Sequence, residues 1–325
     1  MSERPTYDAL LLVSFGGPER HEDVIPFLEN VLRGRKVPPG RMLEVAEHYY
    51  HFDGKTPLNE QNRALIAALE RELARRGPRL RVYWGNRNWH PLLPDTIGRM
   101  EADGVARALA FVTSAFSSYS GCRQYRENIE QALGQSRVQV DKLRVFYNHP
   151  GFIEAMVDRC REALQDRPEA RLIFTGHSIP LSFANTSQYR EQLQEACRLV
   201  AGQLGRPEWR LVYQSRSGSP MQPWLGPDIG DYLKEMGAGS DVVIAPIGFL
   251  SDHMEVVYDL DTEARRICEG LGIRMKRAAT VGVHPKFVSM IRDLILERTD
   301  GAPRLALGDH GPSPDDCPVD CCPCS

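Results

Sequence analysis

Residues 171–180 read Arg-Leu-Ile-Phe-Thr-Gly-His-Ser-Ile-Pro, a short apolar run that ends in a polar loop. Residues 12–18, Leu-Val-Ser-Phe-Gly-Gly-Pro, have the same design in the first half of the chain. Residues 111–119 and 244–252 form a second pair of similar stretches. Apolar runs without strict alternation are typical of parallel strands that helices cover on both faces. The paired stretches therefore predict two similar doubly wound α/β lobes.

The boundary between the predicted lobes lies near Asn148-His149-Pro150. We assign residues 1–148 to the first lobe, 149–300 to the second lobe and 301–325 to a tail. The tail is rich in Gly, Pro, Asp and Cys and has no helical or strand period, as expected of an appendage. Open α/β sheets bind ligands beyond the carboxyl ends of their strands. Two facing lobes therefore predict a ligand cleft between them.

The composition is that of a globular protein without a dominant charge. Of the 325 residues, 42% are hydrophobic and 26% are charged, and the net charge is −3. No global field therefore recruits nucleic acid or anionic lipid. The first residues lack a signal-peptide pattern, the apolar runs are too short to span a bilayer, and no phosphate-binding loop predicts a nucleotide. We expect a cytoplasmic protein without a transmembrane segment, whose oligomeric state these features do not determine.

Two features near predicted strand ends are suited to chemistry. His177 follows a predicted strand, where a ligand or a base is expected, although a core histidine bonded to a backbone carbonyl is an equally good interpretation. A helix over 251–263 would place Glu255, Asp259 and Glu263 at i, i+4 and i+8 on one side. A solvated acidic face is the alternative, but this segment follows a buried strand at the expected cleft. Stacked carboxylates there suit a divalent cation or proton transfer.

Basic and aromatic residues in the first lobe indicate a flat, anionic ligand. Arg33 belongs to the basic cluster 32–36, which would either bind carboxylates or form a solvated loop. Tyr49 and Thr56 belong to the aromatic and polar stretch 48–58, in which Thr56 is alternatively the N-cap of the following helix. None of these patterns is specific by itself.

The cysteines are distributed unevenly. Half of the eight lie in the last nine residues: Cys317, Cys321, Cys322 and Cys324. In a reducing cytosol, clustered cysteines more often bind metal than form disulfides. Four thiolates form either a tetrahedral zinc site or an iron–sulfur site, and composition does not distinguish the two.

Six motifs follow one another along the chain: LLVSFGGP (11–18), YWGNRNW (83–89), GHSIP (176–180), YQSRSG (213–218), PWLGPD (223–228) and PIGFLSDHME (246–255). They resemble the motifs of ferrochelatases, in an order and spacing that match from about Asp8 to Glu297. Each motif is short, but the combination is highly specific. The resemblance implies two Rossmann-like lobes around a porphyrin cleft, in which ferrous iron is inserted into the ring.

The resemblance also implies roles for individual residues. His177 and Glu255 are expected on opposite sides of the macrocycle, as the pair that binds metal and handles protons. Asp259 and Glu263 would continue Glu255 as a path for metal or protons. The residues expected to contact the porphyrin or its carboxylates are Phe15, Arg33, Tyr49, Thr56 and Tyr125.

Phe15 is a departure from part of the family. Some members carry a tyrosine there that approaches the iron from the face opposite His177, and phenylalanine cannot ligate metal. The chain looks closer to the actinobacterial type, which converts coproporphyrin III into coproheme. Protoporphyrin IX, giving protoheme, is the alternative substrate. A cobalt chelatase of the same superfamily and a non-catalytic tetrapyrrole or iron carrier are the remaining alternatives.

Some ferrochelatases of this type hold a [2Fe-2S] cluster with one internal cysteine and three near the C-terminus. By this resemblance, Cys160 is the internal ligand. The tail would supply Cys317, Cys322 and Cys324, with Cys321 as an alternative. Such a cluster would tie the tail to the second lobe and is expected to be structural rather than redox-catalytic.

Overall fold

Two parallel sheets of the same topology form the centres of the two lobes. The computed structural model describes residues 5–34, 39–217 and 221–323. The strands are β1 (Ala9–Ser14), β2 (Arg81–Asn86), β3 (Arg107–Val112), β4 (Gln139–Lys142), β5 (Arg171–His177), β6 (Trp209–Gln214), β7 (Asp241–Ala245) and β8 (Arg274–Arg277). The sheet orders are β2-β1-β3-β4 and β6-β5-β7-β8, and every pair is parallel. The prediction of two similar α/β lobes is confirmed.

Helices connect the strands in both lobes. They are α1 (Val24–Leu32), α2 (Pro39–Tyr50), α3 (Leu58–Arg76), α4 (Leu93–Ala102), α5 (Gln124–Leu133), α6 (Pro150–Leu164), α7 (Leu181–Asn185), α8 (Tyr189–Gln203), α9 (Ile229–Met236), α10 (Met254–Val256), α11 (Arg265–Leu271) and α12 (Pro285–Thr299). A 3₁₀ turn at His21–Asp23 and π-helical segments at Tyr119–Arg123 and Val257–Ala264 complete the described elements. Among the described residues, no helix has the length and apolar character that crossing a membrane requires.

Both faces of each sheet are buried, which explains the apolar runs in the sequence. Leu10 and Leu12 of β1 pack with residues of α3, whereas Leu11 and Val13 pack on the other face with residues of α4. The edge strands β4 and β8 differ, because their Gln-Val-Asp-Lys and Arg-Met-Lys-Arg sequences carry charges that an edge position tolerates. The sequence pattern therefore does not predict these two strands.

The two lobes share one hydrophobic cluster. Phe111 of β3 stacks on Phe146 at a centroid distance of 5.3 Å, and both contact Phe287 of α12. The last helix of the second half thus packs into the core of the first half, against α3 and α6. A lobe boundary at residue 148 stays a prediction, since this core continues across it.

The tail lies on the first lobe and on the connection between the lobes. Asn148 accepts a bond from the Leu307 N–H at 2.8 Å and donates to the Gly311 carbonyl at 2.9 Å. Arg126 of α5 donates to the carbonyls of Pro318 and Val319 at 3.5 and 3.3 Å. The tail also contacts the second lobe, since Gly308 lies directly against the Glu195 side chain of α8. Its last described residues lie on α5 of the first lobe, and the expectation that a cluster ties the tail to the second lobe stays a prediction.

A buried ion pair joins the first lobe to α12. Arg144 donates from Nε and Nη2 to the two carboxylate oxygens of Glu297 at 2.7 and 2.8 Å, and Nη2 also reaches the Leu305 carbonyl at 2.8 Å. The two side chains are 1% and 2% exposed. A buried pair is costly to break, since the remaining charge has no water to solvate it.

We predict that Arg144→Met destabilises the protein by about 3–5 kcal/mol, because it leaves Glu297 charged and buried. Chemical denaturation of the two proteins at the same pH measures this loss. Arg137→Gln is the matched control, since Arg137 pairs with Glu101 at 3.4 Å but is 91% exposed, and its loss should cost at most ~1 kcal/mol. Equal effects of the two substitutions would contradict the prediction.

Candidate active site

The carboxyl ends of β5 and β7 lie side by side at the centre of the second sheet. β5 ends at His177, and the loop after β7 leads to Glu255 in α10. A Cβ on Gly248 would lie 2.6 Å from Gly176 Cα. The absence of a side chain on Gly248 therefore lets the two loops approach closely. This local sequence brings His177 and Glu255 to one place.

His177 and Glu255 contact each other directly. His177 Nε2 and Glu255 Oε1 are 3.5 Å apart. A flat ring between two groups needs a van der Waals contact of about 3.5–4 Å on each of its faces, or about 7 Å in total. The expectation that these residues flank the macrocycle from opposite sides is therefore wrong. Both side chains come from the second lobe and form one unit.

The contact between His177 and Glu255 is an ion pair. Burial disfavours the imidazolium, but the Glu255 carboxylate outweighs this effect and raises the pKa of His177 above its usual value. Burial likewise disfavours the carboxylate, yet His177 and the neighbouring His253 hold the pKa of Glu255 at about 2. Nδ1 of His177 is turned toward the Ser178 carbonyl, which leaves Nε2 for Glu255. The pair is open to the cleft, with side chains 29% and 44% exposed.

His253 is a site residue that the sequence patterns did not single out. Its Nδ1 accepts a hydrogen bond from the Glu255 N–H at 3.2 Å and lies 3.8 Å from Glu255 Oε2. Burial lowers the pKa of His253 and favours the neutral ring, whose Nδ1 accepts this bond. His253 thereby caps α10 and positions the backbone that carries Glu255. Its position two residues before Glu255 in the sequence was the signal that could have identified it as a site residue.

The predicted acidic stripe lies on a rare type of helix. Residues Val257–Ala264 form a π-helix, a geometry with i→i+5 hydrogen bonds that is frequent at functional sites. The Asp259 carboxyl senses the charges of both Glu255 and Glu263, so the three groups lie near one another as their spacing predicts. Within the described ranges, no Lys or Arg forms an ion pair with any of the three.

Asp259 is the member of the stripe with the most unusual acidity. Burial, together with the Glu255 and Glu263 carboxylates, raises the pKa of Asp259 to about 7. The Ser215 hydroxyl donates to the Asp259 carboxylate and opposes part of this shift. Near neutral pH, Asp259 is therefore partly protonated beside an ionised Glu255. Such a group can both take up and release protons.

Arg277 of β8 binds two aspartates, one in the π-helix and one in the loop that precedes α10. It donates to both carboxylate oxygens of Asp261 at 2.8–3.0 Å and to Asp252 Oδ1 at 2.7 Å. Charge-assisted bonds of this bidentate kind fix geometry as well as charge. Arg277 thus compensates the two aspartates that lie outside the stripe.

The first lobe supplies the opposite wall of the cleft. Burial and the Glu255 carboxylate raise the pKa of Tyr49 well above its usual value. Burial also raises the pKa of Tyr125, which senses Glu255 as well. Phe15 is 37% exposed, and its ring and that of Tyr49 both pack on Phe27, at centroid distances of 6.2 and 5.7 Å. The structure therefore brings Tyr49 and Tyr125 near the ion pair and places Phe15 on the same wall as Tyr49.

Thr56 and Arg33 have different surroundings. Thr56 is buried, its N–H donates to the Pro18 carbonyl at 3.1 Å, and its methyl group packs on Gly17 so closely that a Cβ there would lie 2.2 Å away. The alternative that Thr56 caps α3 is wrong, since Pro57 holds the N-cap position without a side-chain bond. Arg33 is exposed and donates to the Asn30 side chain, at the outer end of this wall.

Two contacts between the lobes lie beside the stripe. His48 of α2 stacks on Tyr258 of the π-helix, with ring centroids 3.9 Å apart and planes inclined by 13°. Gln61 of α3 accepts from the Asp252 N–H at 2.8 Å and donates to the Asp252 carbonyl at 3.5 Å. These contacts position the first lobe against the acidic stripe of the second, and the sequence did not indicate them.

A second group of polar residues lies on the first lobe, where the tail ends. A cavity of about 200 Å³ is lined by four thiols, those of Cys122, Cys317, Cys321 and Cys322. The Cys122 and Cys317 thiols are hydrogen-bonded, and the sulfur atoms of Cys321 and Cys322 are 3.5 Å apart. The Cys317 thiol and the Lys142 ammonium lower the pKa of Cys122, which favours the ligand form of its sulfur.

Cys160 does not take part in this group, so the prediction that it is the internal cluster ligand is wrong. Its side chain is completely buried in the hydrophobic cluster shared by the lobes, next to Cys197. It is absent from the residues that line the cavity of the tail thiols. Cys122 was identifiable, because it follows a strand and a loop rather than lying inside a helical pattern.

The thiol group fits a metal cluster by its chemistry. Three cysteines of the tail face one of the first lobe, and the Lys142 ammonium lowers the pKa of Cys122. The cavity lining is of mixed charge, with Arg123, Arg126 and Lys142 beside Glu130, Asp141, Asp315 and Asp316. Cys324, the third predicted tail ligand, lies outside the described residues. Over those residues, no three His, Cys, Asp or Glu side chains are already arranged as a metal site.

Comparison with solved structures supports the fold. The sirohydrochlorin chelatase SirB of Bacillus subtilis, solved with Fe3+, has a TM-score of 0.60 and 11% identity over 91% of this chain and 98% of that chain. SirB of Bacillus subtilis subspecies spizizenii in complex with cobalt has a TM-score of 0.57 and 11% identity, covering 91% of this chain and 97% of that one. At this identity, the likeness concerns the fold alone.

Comparison of sequences identifies the family. The ferrochelatase family model matches residues 7–299. A ferrochelatase of Rhodopirellula baltica is 55% identical over 333 residues, covering 99% of this chain and 95% of that protein. A coproporphyrin III ferrochelatase of Streptomyces griseus is 51% identical over 350 residues, covering 98% and 93%. The chain belongs to the ferrochelatase family, the lyases that insert ferrous iron into a porphyrin.

Proposed function

We propose that this ferrochelatase inserts Fe2+ into coproporphyrin III and that the His177–Glu255 pair acts on the ring from the side of the second lobe. Seven relatives, 44–52% identical, are coproporphyrin III ferrochelatases by name. Protoporphyrin IX is the alternative substrate, since the Rhodopirellula baltica relative is named only a ferrochelatase. The direct contact between His177 and Glu255 is the observation that carries the proposed mechanism.

Metallation exchanges one Fe2+ for two pyrrole protons. Glu255 is ionised and favours the protonated form of His177, and a protonated His177 must lose its proton before it binds iron or accepts a proton from the ring. Fe2+ that approaches Glu255 repels the imidazolium and promotes this loss. Phe15 offers no metal ligand on the opposite wall, so iron and protons share the second-lobe side of the ring.

The protons need a route to solvent, and we propose the acidic stripe. Asp259, with a pKa of about 7, is the group best matched to accept a proton near neutral pH. Glu263 is exposed and continues the stripe outward. The same carboxylates suit hydrated Fe2+ on its way in, because hard cations prefer oxygen ligands.

We also propose that the tail cysteines and Cys122 hold a [2Fe-2S] cluster. Cys122, Cys317 and Cys322 would be three of the ligands, and the fourth would be Cys324 or Cys321. When bound, such a cluster would supply a cross-link between the tail and the first lobe, and a one-electron centre. The chain's own arginines, Arg123 and Arg126, hold the backbone of the cysteine loop on α5.

The substrate comparison tests the proposed function. We predict that anaerobic turnover with Fe2+ gives a higher kcat/KM for coproporphyrin III than for protoporphyrin IX. His177→Ala is the negative control, expected to lose at least ~100-fold in kcat while still binding porphyrin. A higher kcat/KM for protoporphyrin IX would contradict the proposal that coproporphyrin III is the substrate. Tight porphyrin binding without metallation would instead support a carrier.

The proton route predicts a pH dependence. Because the Asp259 carboxylate forms above its pKa of about 7, kcat/KM should rise as the pH increases through that value. Ser215→Ala removes a donor that favours the carboxylate, so it raises the pKa of Asp259 and moves the rise to higher pH. Asp259→Asn should abolish the rise. The same profile in Asp259→Asn and the wild type would exclude Asp259 from the route.

The cluster predicts different outcomes for two cysteines. Purified wild-type protein should be brown and contain iron and sulfide, and Cys122→Ser should lose both. Cys160→Ser should keep both, because Cys160 lies in the core away from the tail. Loss of the cluster in Cys160→Ser but not in Cys122→Ser would instead identify Cys160 as the internal ligand, as the family resemblance implies. A colourless protein that contains zinc would favour a zinc site.

A further inference from the structure

Arg87 is a cation on the cleft wall without an anionic partner. It follows β2, in the motif 83–89, and its guanidinium lies 4.5 Å from the ring centre of Tyr125 and 5.7 Å from that of Phe15. Its Nε donates to Asn128 Oδ1 at 2.6 Å. In the part of the chain that the structure describes, Arg87 forms no ion pair with a carboxylate, although many of the described arginines do.

The position of Arg87 connects it to the active site. Tyr125, which is hydrogen-bonded to Arg87, also senses the Glu255 carboxylate. Phe15, the second ring near the guanidinium, is partly exposed and packs on Phe27 as Tyr49 does. Arg87 is therefore close to two residues of the first-lobe wall, one of which senses Glu255.

The surroundings of Arg87 are built to hold an arginine in one orientation. Asn128 fixes Nε, and the ring centres of Tyr125 and Phe15 lie 4.5 and 5.7 Å from the guanidinium, which stabilises a cation without neutralising it. A guanidinium has five N–H groups, of which Asn128 and Tyr125 do not occupy all. A half-buried cation with free, oriented donors is preorganised for a carboxylate, which an arginine binds in a bidentate manner.

We infer that Arg87 binds a carboxylate of the porphyrin substrate, an inference that rests on the proposed ferrochelatase reaction. The cleft must accept a flat ring with acidic side chains at its edge, and Arg87 is a fixed cation beside the aromatic wall. Arg33, the arginine expected from the sequence to have this role, is exposed and held by Asn30 at the outer end of the wall. Arg87 is thus a substrate-positioning residue of the first lobe.

Direct binding measurements test this inference without requiring turnover. Quenching of protein fluorescence by coproporphyrin III gives its Kd for the wild type, Arg87→Gln and Arg87→Lys. Loss of one charge-assisted contact should raise the Kd about 10- to 100-fold in Arg87→Gln. Arg87→Lys keeps the positive charge but lacks the paired, coplanar donors of a guanidinium, so it should recover part of the affinity. Added salt should weaken binding to the wild type more than binding to Arg87→Gln.

Arg99→Gln is the matched control. Arg99 also lies over a tyrosine, 5.6 Å from the ring centre of Tyr83, but on α4. Its Kd should equal that of the wild type, and thermal unfolding of every variant checks the fold. An unchanged Kd in Arg87→Gln overturns the inference, and so does a fall in kcat with an unchanged Kd, which would assign Arg87 to iron handling. A wild type that binds but does not metallate porphyrin refutes the proposed function and leaves this binding test valid.

Discussion

The contact between His177 and Glu255 is the constraint on which the rest of the site depends. An imidazole and a carboxylate 3.5 Å apart each favour the charged form of the other against the effect of burial. The contact requires the ends of β5 and β7 to approach closely, which Gly248 permits. It also puts both groups on one lobe, which is why we propose that iron and protons are handled from the same side of the ring.

The remaining features follow from that one-sided arrangement. The π-helix extends the carboxylates of the second lobe away from Glu255, and Arg277 holds it without neutralising the stripe. The first lobe supplies the complementary wall, which is aromatic around Phe15 and Tyr49. The second lobe thus offers charged groups and the first lobe an aromatic surface. This arrangement suits a reaction in which the porphyrin packs on the first lobe and is metallated from the second.

Much of the fold was predictable from sequence, because the central strands are buried on both faces and read as apolar runs. The charged edge strands β4 and β8 were not, since one side of each lies at the sheet edge. His177 and Glu255 were predictable as a pair from motif order. Their relative placement was not, because sequence spacing does not determine which side of a cleft a loop faces. The resemblance assigned Cys160 as the internal cluster ligand, and the sequence did not reveal its burial in the core that the two lobes share.

The protonation of His177 tests the central claim most directly. An NMR titration of the His177 ring in substrate-free protein should give a pKa above the usual value of about 6.5, because of the Glu255 carboxylate. In Glu255→Gln the same pKa should fall, since the largest effect that opposes burial is then lost. A pKa at or below the usual value in the wild type, or no change in Glu255→Gln, would contradict the ion pair and the mechanism built on it.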